Sequence, residues 1–169
     1  LIDPQGQLAS RYDKLHLFGF CTGQEQYDEA ATMTPGREVV SHPLPWGVLR
    51  LGICYDLRFP ELFRLGPAPD FIALPAAFTH TTGLAHWALL LRARAVENLA
   101  FVFASAQGGH HPGGRRTFGH SMIIDPWGRI LAQVEEGQGM AIATLDLAAQ
   151  RTVRSQLPAL THRKIAVGP

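Results

Sequence analysis

Two residues in this sequence have the type and setting of catalytic groups: a cysteine that ends an apolar run and a lysine embedded among apolar neighbours. Cys54 closes the stretch Val48-Leu49-Arg50-Leu51-Gly52-Ile53-Cys54 and precedes Tyr55-Asp56-Leu57-Arg58-Phe59-Pro60. The apolar run reads as a buried strand, while Pro60 and Glu61 suit the first turn of a helix. A thiol at such a strand-to-helix turn lies near the helix N-terminus. The dipole there favours thiolate, and the unpaired N–H groups face an oxyanion formed at that spot. The backbone N–H of Tyr55 is the natural oxyanion donor. The plain alternative is a small buried hydrophobe with no chemistry.

Lys14 lies in Tyr12-Asp13-Lys14-Leu15-His16-Leu17-Phe18. A lysine at a strand end is commonly a solvated surface charge. Here strand alternation sends Tyr12 and Lys14 to the face of Leu8, and the surrounding residues are too apolar for an exposed edge. A buried ammonium requires a partner, and beside a thiol it would supply positive charge for a developing oxyanion. Glu29, in the stretch from Tyr27 to Gly36, is a possible partner, although its spacing alone favours an exposed acid. The eight histidines include His110-His111, His120, His80 and His86, but neither zinc-ligand spacing nor an acidic helper in register is present, so no metal is expected. His86 and His120 remain candidates for a histidine base paired with Cys54.

The elements that must position these groups follow from periodicity. Leu1-Ile2, the turn Asp3 to Gly6 and Gln7 to Tyr12 have the rhythm of a hairpin, and Leu17 to Gly36 reads as a long loop with at most one helical turn. Val39-Val40, Val48 to Cys54, Asp70 to Pro75 and Leu99 to Ala104 read as strands, and Trp87 to Asn98 as a helix. Gly108 to Gly114 reads as a loop and Ser121 to Val134 as a hairpin around Asp-Pro-Trp-Gly. Met140 to Leu145 reads as a last strand before a helix from Asp146 to about Gln156, capped by that aspartate. Alternating strands and helices followed by strands give an α/β class with a mixed sheet.

The 169 residues suit one domain over 1–169 with a sizeable core. A 46% hydrophobic and 17% charged composition excludes disorder. A formal charge of +1 provides no basic field for nucleic acid, and no apolar run approaches the ~20 residues of a membrane-spanning helix. Two cysteines, Cys21 and Cys54, without a signal peptide suggest a reducing, cytoplasmic compartment. The opening at Leu1, with an apolar pair running straight into a turn, suggests that an upstream part is absent.

The segments Tyr12 to Phe18 and Gly52-Ile53-Cys54-Tyr55-Asp56-Leu57-Arg58-Phe59-Pro60-Glu61-Leu62 resemble the nitrilase superfamily of carbon-nitrogen hydrolases. So do Pro75 to Trp87, Arg92-Ala93-Arg94-Ala95-Val96-Glu97-Asn98 and Gly119 to Gly128, in the family's order from Asp3 to Arg163. The resemblance implies a four-layer αββα sandwich and a Glu-Lys-Cys triad, with Cys54 as nucleophile, Lys14 as triad lysine and Glu29 as a second glutamate beside it. No cofactor is implied. The triad's general-base glutamate belongs to an N-terminal portion of the family fold that precedes Leu1, and neither Asp3 nor Asp13 matches it. The alternative is therefore a catalytically incompetent fragment or interaction module.

The branch most resembled comprises ω-amidases and deaminated-glutathione amidases, which act on short ω-amides bearing a carboxylate. This implies a small-molecule amide substrate and a homo-oligomer. Arg58 could bind the carboxylate as a bidentate fork or cap the turn through Asp56 or Glu61. Phe78, Thr79 and Trp87 are expected to line the pocket, with core packing the alternative for Trp87.

Overall fold

The computed structural model describes residues 1–23 and 26–165. In chain order the strands are β1 (Gly19–Cys21), β2 (Gln26–Asp28), β3 (Ser41–Leu44), β4 (Gly47–Leu51), β5 (Phe71–Ala73), β6 (Phe101–Ala104), β7 (Gly108–His110), β8 (Arg116–Phe118), β9 (Ser121–Ile124) and β10 (Ile130–Val134). Helix α1 (His80–Asn98) lies between β5 and β6, and α2 (Leu147–Gln156) follows β10. Six strands form one mixed sheet in the order β10-β9-β6-β5-β4-β3, parallel between β4, β5 and β6 and antiparallel toward both edges. The pairs β1–β2 and β7–β8 are separate antiparallel hairpins.

Strand alternation divides the apolar residues between the two faces. Ile72, Leu74, Val102, Ala104, Met122 and Ile124 join Trp87, Leu91 and Ala95 of α1 in one buried cluster. On the other face Leu49, Phe71 and Phe101 form a second cluster with Leu145 and Leu147 packed against it. These residues thus supply a helix layer on a sheet layer, the mixed α/β arrangement expected from the sequence.

The α2 helix starts where the sequence placed it, with Asp146 Oδ1 accepting from Ala149 N–H at 2.8 Å. The β9–β10 hairpin also lies where expected. Elsewhere the boundaries differ, each for a local reason. The opening hairpin reduces to a single Ile2–Leu8 bridge closing the turn, because Asp3 Oδ1 takes the Gln5 and Gln7 amides at 3.0 and 2.7 Å. The long loop contains the β1–β2 hairpin and a 3-10 turn, Glu29–Ala31, capped by Asp28.

The helix expected after Cys54 is instead two 3-10 turns, Cys54–Arg58 and Pro60–Phe63. Pro60 disfavours the helical region for the residue before it, and Phe59 is extended with φ −111° and ψ 91°. The Gly108–Gly114 loop includes β7, and β8 follows it. No ladder forms over Met140–Leu145 among the described residues, and Met140 and Ile142 lie exposed. Apolar alternation without a neighbouring strand does not make a sheet.

Helix α1 begins seven residues before Trp87, through Thr-Thr-Gly. A glycine in a helix costs about 1 kcal/mol relative to alanine, but here the missing Cβ serves packing. A Cβ on Gly83 would sit 2.3 Å from Phe118 Cβ, so the bare backbone lets the β7–β8 hairpin press onto the helix. Gly83→Ala is therefore expected to destabilise the protein by about 1–3 kcal/mol, the usual range for overpacking, as measured by urea unfolding. Equal or greater stability would contradict this packing.

Candidate active site

Strand β4 delivers the chain to Cys54 much as the apolar run indicated, and the backbone then breaks sharply. Gly52 N–H donates to Ala73 O at 3.1 Å, and Cys54 N–H to Pro75 O at 2.9 Å, extending the parallel register beyond β4. At Cys54 the backbone adopts φ +50°, a left-handed conformation uncommon outside glycine. Such a residue is held there only because its surroundings determine it, and these positions concentrate at active sites. The turn lifts the thiol into a cavity of about 580 Å3 whose lining includes Lys14, Glu29, Gln107 and Arg115.

Lys14 and Glu29 form an ion pair, with their side chains only 11% and 25% exposed. Glu29 is fixed independently of the lysine: its Oε2 also accepts from Phe18 N–H at 2.8 Å, and Glu29 N–H donates to Phe18 O at 3.0 Å. Burial pushes the Glu29 carboxyl up. The Lys14 hydrogen bond, the Phe18 amide and the charges of Lys14 and Arg115 outweigh it and hold the carboxyl below its ordinary value of 4.5. Glu29 is thus ionised at neutral pH, and the pair's stabilisation is lost only as pH falls below 4.5, through the lowered value. Gly36 closes the lysine segment by donating to Lys14 O at 2.8 Å, and any Cβ there would meet Asp13 O at 2.1 Å.

The sequence suggested that the turn would favour thiolate at Cys54, and burial of the thiol works against it. Burial pushes the thiol above its ordinary value of 9.0, although the Ala77 backbone N–H and the charges of Lys14 and Arg115 pull it down. A five-residue 3-10 turn aligns few peptide dipoles, so desolvation prevails. Alkylation of Cys54, followed by mass spectrometry in a Cys21→Ser background, is accordingly expected to reach half its maximal rate above pH 9. A midpoint below pH 9 would mean that the surrounding cations dominate instead.

Tyr55 holds its ring edge-on to Phe18 and Phe59, with centroids 5.1 and 5.3 Å away, while its backbone N–H stays adjacent to Cys54. Phe78 and Thr79 are buried and share a narrow space with Cys54, Tyr55 and Glu29. Trp87 lies elsewhere: it is fully buried against Phe78 in the core, with Nε1–H donating to His120 O at 2.8 Å, and it does not reach the cavity wall. Its large apolar surface is satisfied by packing.

Arg58 stacks over the Tyr55 and Phe78 rings at 5.9 and 5.4 Å, with Nη2 3.2 Å from His86 Nδ1. None of the histidines lines the Cys54 cavity. His86 faces Arg58, and His120 Nδ1 lies 2.8 Å from Phe118 O with its ring stacked on Phe118. Among the described residues, no three potential ligands converge as a metal site.

Two contributors had no separable signal in the sequence. Asp56, fully buried, accepts from Tyr12 O–H at 2.7 Å, His16 N–H at 3.0 Å and Ile53 N–H at 2.8 Å, with His16 Nδ1 at 2.7 Å. It therefore ties the lysine segment to the cysteine turn, and burial together with the Asp56 hydrogen bond drives the Tyr12 phenol far above its ordinary range. Arg115 enters from the chain between β7 and β8, with Nη2 donating to Ala77 O at 2.7 Å and its guanidinium 5.5 Å over the Tyr27 ring.

The left-handed Cys54 turn and the Lys14–Glu29 ion pair thus share one cavity, and the chain resembles known proteins over nearly all of its length. A deaminated glutathione amidase of Synechocystis sp. (strain PCC 6803 / GT-S) is 48% identical over 168 residues, covering 96% of this chain and 62% of that protein. The deaminated glutathione amidase of Homo sapiens is 40% identical over 97% of this chain and 51% of its own length. The crystal structure of the C. elegans NitFhit protein superposes with a TM-score of 0.88 at 43% identity, over 96% of this chain and 40% of that one. The chain thus spans about three-fifths or less of the length of these relatives. No helix among the described residues is long and apolar enough to cross a membrane. Residues 1–155 match the carbon-nitrogen hydrolase family model, and the chain belongs to that family.

Proposed function

We propose that the whole protein hydrolyses the carbon–nitrogen bond of small linear ω-amides that carry a carboxylate, through a thioester on Cys54. The observation that carries this reading is the left-handed Cys54 turn opening into the same cavity as the Lys14–Glu29 pair. Cys54 Sγ attacks the amide carbonyl carbon as its proton passes to the general base, and the carbonyl π pair moves onto oxygen. The Lys14 ammonium and the Tyr55 N–H stabilise that oxyanion. Its collapse breaks the C–N bond, and the departing nitrogen takes the proton. Water then adds to the thioester, giving the free acid and the Cys54 thiol.

Glu29, ionised and bound to Lys14, holds the ammonium in place. The general base is the triad glutamate of the family, which neither Asp3 nor Asp13 supplies. Arg58 contributes a cation for the substrate carboxylate, and Phe78 and Thr79 shape the acyl side. The raised Cys54 thiol supports the need for that base, since little thiolate exists at neutral pH without one. The reading places the protein in the cytoplasm as a homo-oligomer without a cofactor, and the two free thiols suit a reducing compartment.

The test is ammonia or amine release by the whole protein, with deaminated glutathione, the compound in the relatives' names, assayed first. Turnover of carboxylated ω-amides, with neutral amides of equal length poorer by at least about tenfold, is the expected result. A folded whole protein that turns over none of them would leave the second reading, an interaction module on a hydrolase fold.

A further inference from the structure

One carboxylate brackets both Lys14 and Cys54. Asp56 Oδ2 accepts from Tyr12 O–H at 2.7 Å, and Oδ1 accepts from His16 N–H at 3.0 Å with His16 Nδ1 at 2.7 Å. It therefore grips the chain on either side of Lys14. Oδ2 also accepts from Ile53 N–H at 2.8 Å, and Asp56 N–H donates to Ile53 O at 3.0 Å, which closes the turn on either side of Cys54. The side chain is fully buried, and in such a place an acceptor that is lost leaves its donors unsatisfied at a cost.

Glu29 does not perform this task. It is fixed by Phe18 of the lysine's own segment, so it sets the ammonium relative to that segment and not relative to Cys54. Among the described residues, every hydrogen bond between residues 12–18 and residues 53–59 ends on Asp56. The two segments also meet through rings, with His16 stacked on Phe59 at 3.6 Å and Phe18 edge-on to Tyr55 at 5.1 Å. Ring contacts are less directional than hydrogen bonds to a buried carboxylate, so the register of the lysine against the thiol falls to Asp56. We propose that Asp56 is a positioning residue for the hydrolysis: it places the Lys14 ammonium where it can meet the oxyanion formed beside Cys54. This inference rests on the function proposed above, and its geometry can also be read from the thiol alone.

Asp56→Asn keeps the shape of the side chain and leaves one acceptor oxygen in place of two. In the whole protein it is expected to lower kcat by about 10²-fold, with KM held within about threefold, the signature of misplaced catalytic groups. Alkylation of Cys54, followed on its peptide by mass spectrometry, gives a readout that loss of stability alone does not move. Removing a nearby negative charge shifts the alkylation midpoint to lower pH. Withdrawing the Lys14 ammonium shifts it to higher pH, because that charge pulls the thiol down. Asp56→Asn is expected to raise the midpoint by about half a pH unit, and to add no rise in a Lys14→Met background. Tyr12→Phe removes one donor and keeps the ring; it is expected to raise the midpoint in the same sense and to lower kcat by about 3-fold to 10-fold. It decides the question if Asp56→Asn does not fold. An unchanged or lowered midpoint, or an unchanged kcat in an active protein, overturns the role of Asp56 even where amide turnover is found. A raised midpoint in a protein that turns over no amide sustains the placement of Lys14 and removes the amidase.

Discussion

Cys54→Ala in the whole protein is expected to lower kcat/KM for amide hydrolysis by at least about 10⁴-fold while leaving the urea midpoint nearly unchanged. The size of the effect follows from the loss of the cavity's thiol. The Ser121 hydroxyl also lines the cavity, but it accepts from Ala106 N–H at 2.9 Å and lies 3.3 Å from Ala106 O, so it is committed to that peptide. A half-buried methyl in place of the thiol fits the same space, and the left-handed turn is held by Asp56 and the Pro75 carbonyl. Activity and stability should therefore separate cleanly. Residual turnover within about 10-fold of wild type would remove Cys54 from the reaction.

Lys14→Met should produce the next largest loss, about 10²-fold to 10³-fold in kcat, the usual cost of removing one oxyanion donor. Methionine keeps much of the buried stem, whereas Glu29 is left holding a charge opposed only by Phe18 N–H and the more distant Arg115. The same substitution removes one of the charges that lower the Cys54 thiol, so the alkylation midpoint of Cys54 should move further above pH 9. A purely structural lysine would shift stability and leave that midpoint in place. The paired readout of kcat and alkylation pH decides between the two roles.

How much of this was visible beforehand depended on whether the deciding interaction is local. The β9–β10 hairpin around Asp125 and the α2 cap at Asp146 rest on neighbours within a few residues, while the strand into Cys54, although it pairs with the distant β5, shows itself as a nearly continuous apolar run. Lys14 in an apolar stretch announced the need for a partner, and Glu29, fifteen residues away, meets it. Asp56 could not be recognised as the link between Tyr12, His16 and the Cys54 turn, because its partners lie 40 and 44 residues away in sequence. Arg115 was hidden for a similar reason. It falls in a Gly- and His-rich stretch that reads as an open loop, and long-range contacts seat that hairpin over the cavity: Phe118 against Gly83, Phe118 N–H on Phe78 O and the Thr79–Thr117 bridge. Trp87 shows the opposite case, an aromatic whose type suits a pocket and whose position fills the core.

The central claim is that Cys54 carries the acyl group. The most direct measurement is intact-protein and peptide mass spectrometry on the whole protein, acid-quenched during turnover of a carboxylated ω-amide. The account predicts a mass increase equal to the acyl portion of that substrate, mapped to the peptide containing Cys54 and absent from Cys54→Ala. Full turnover with no acyl adduct at any quench time, accompanied by unimpaired turnover in Cys54→Ala, would contradict it.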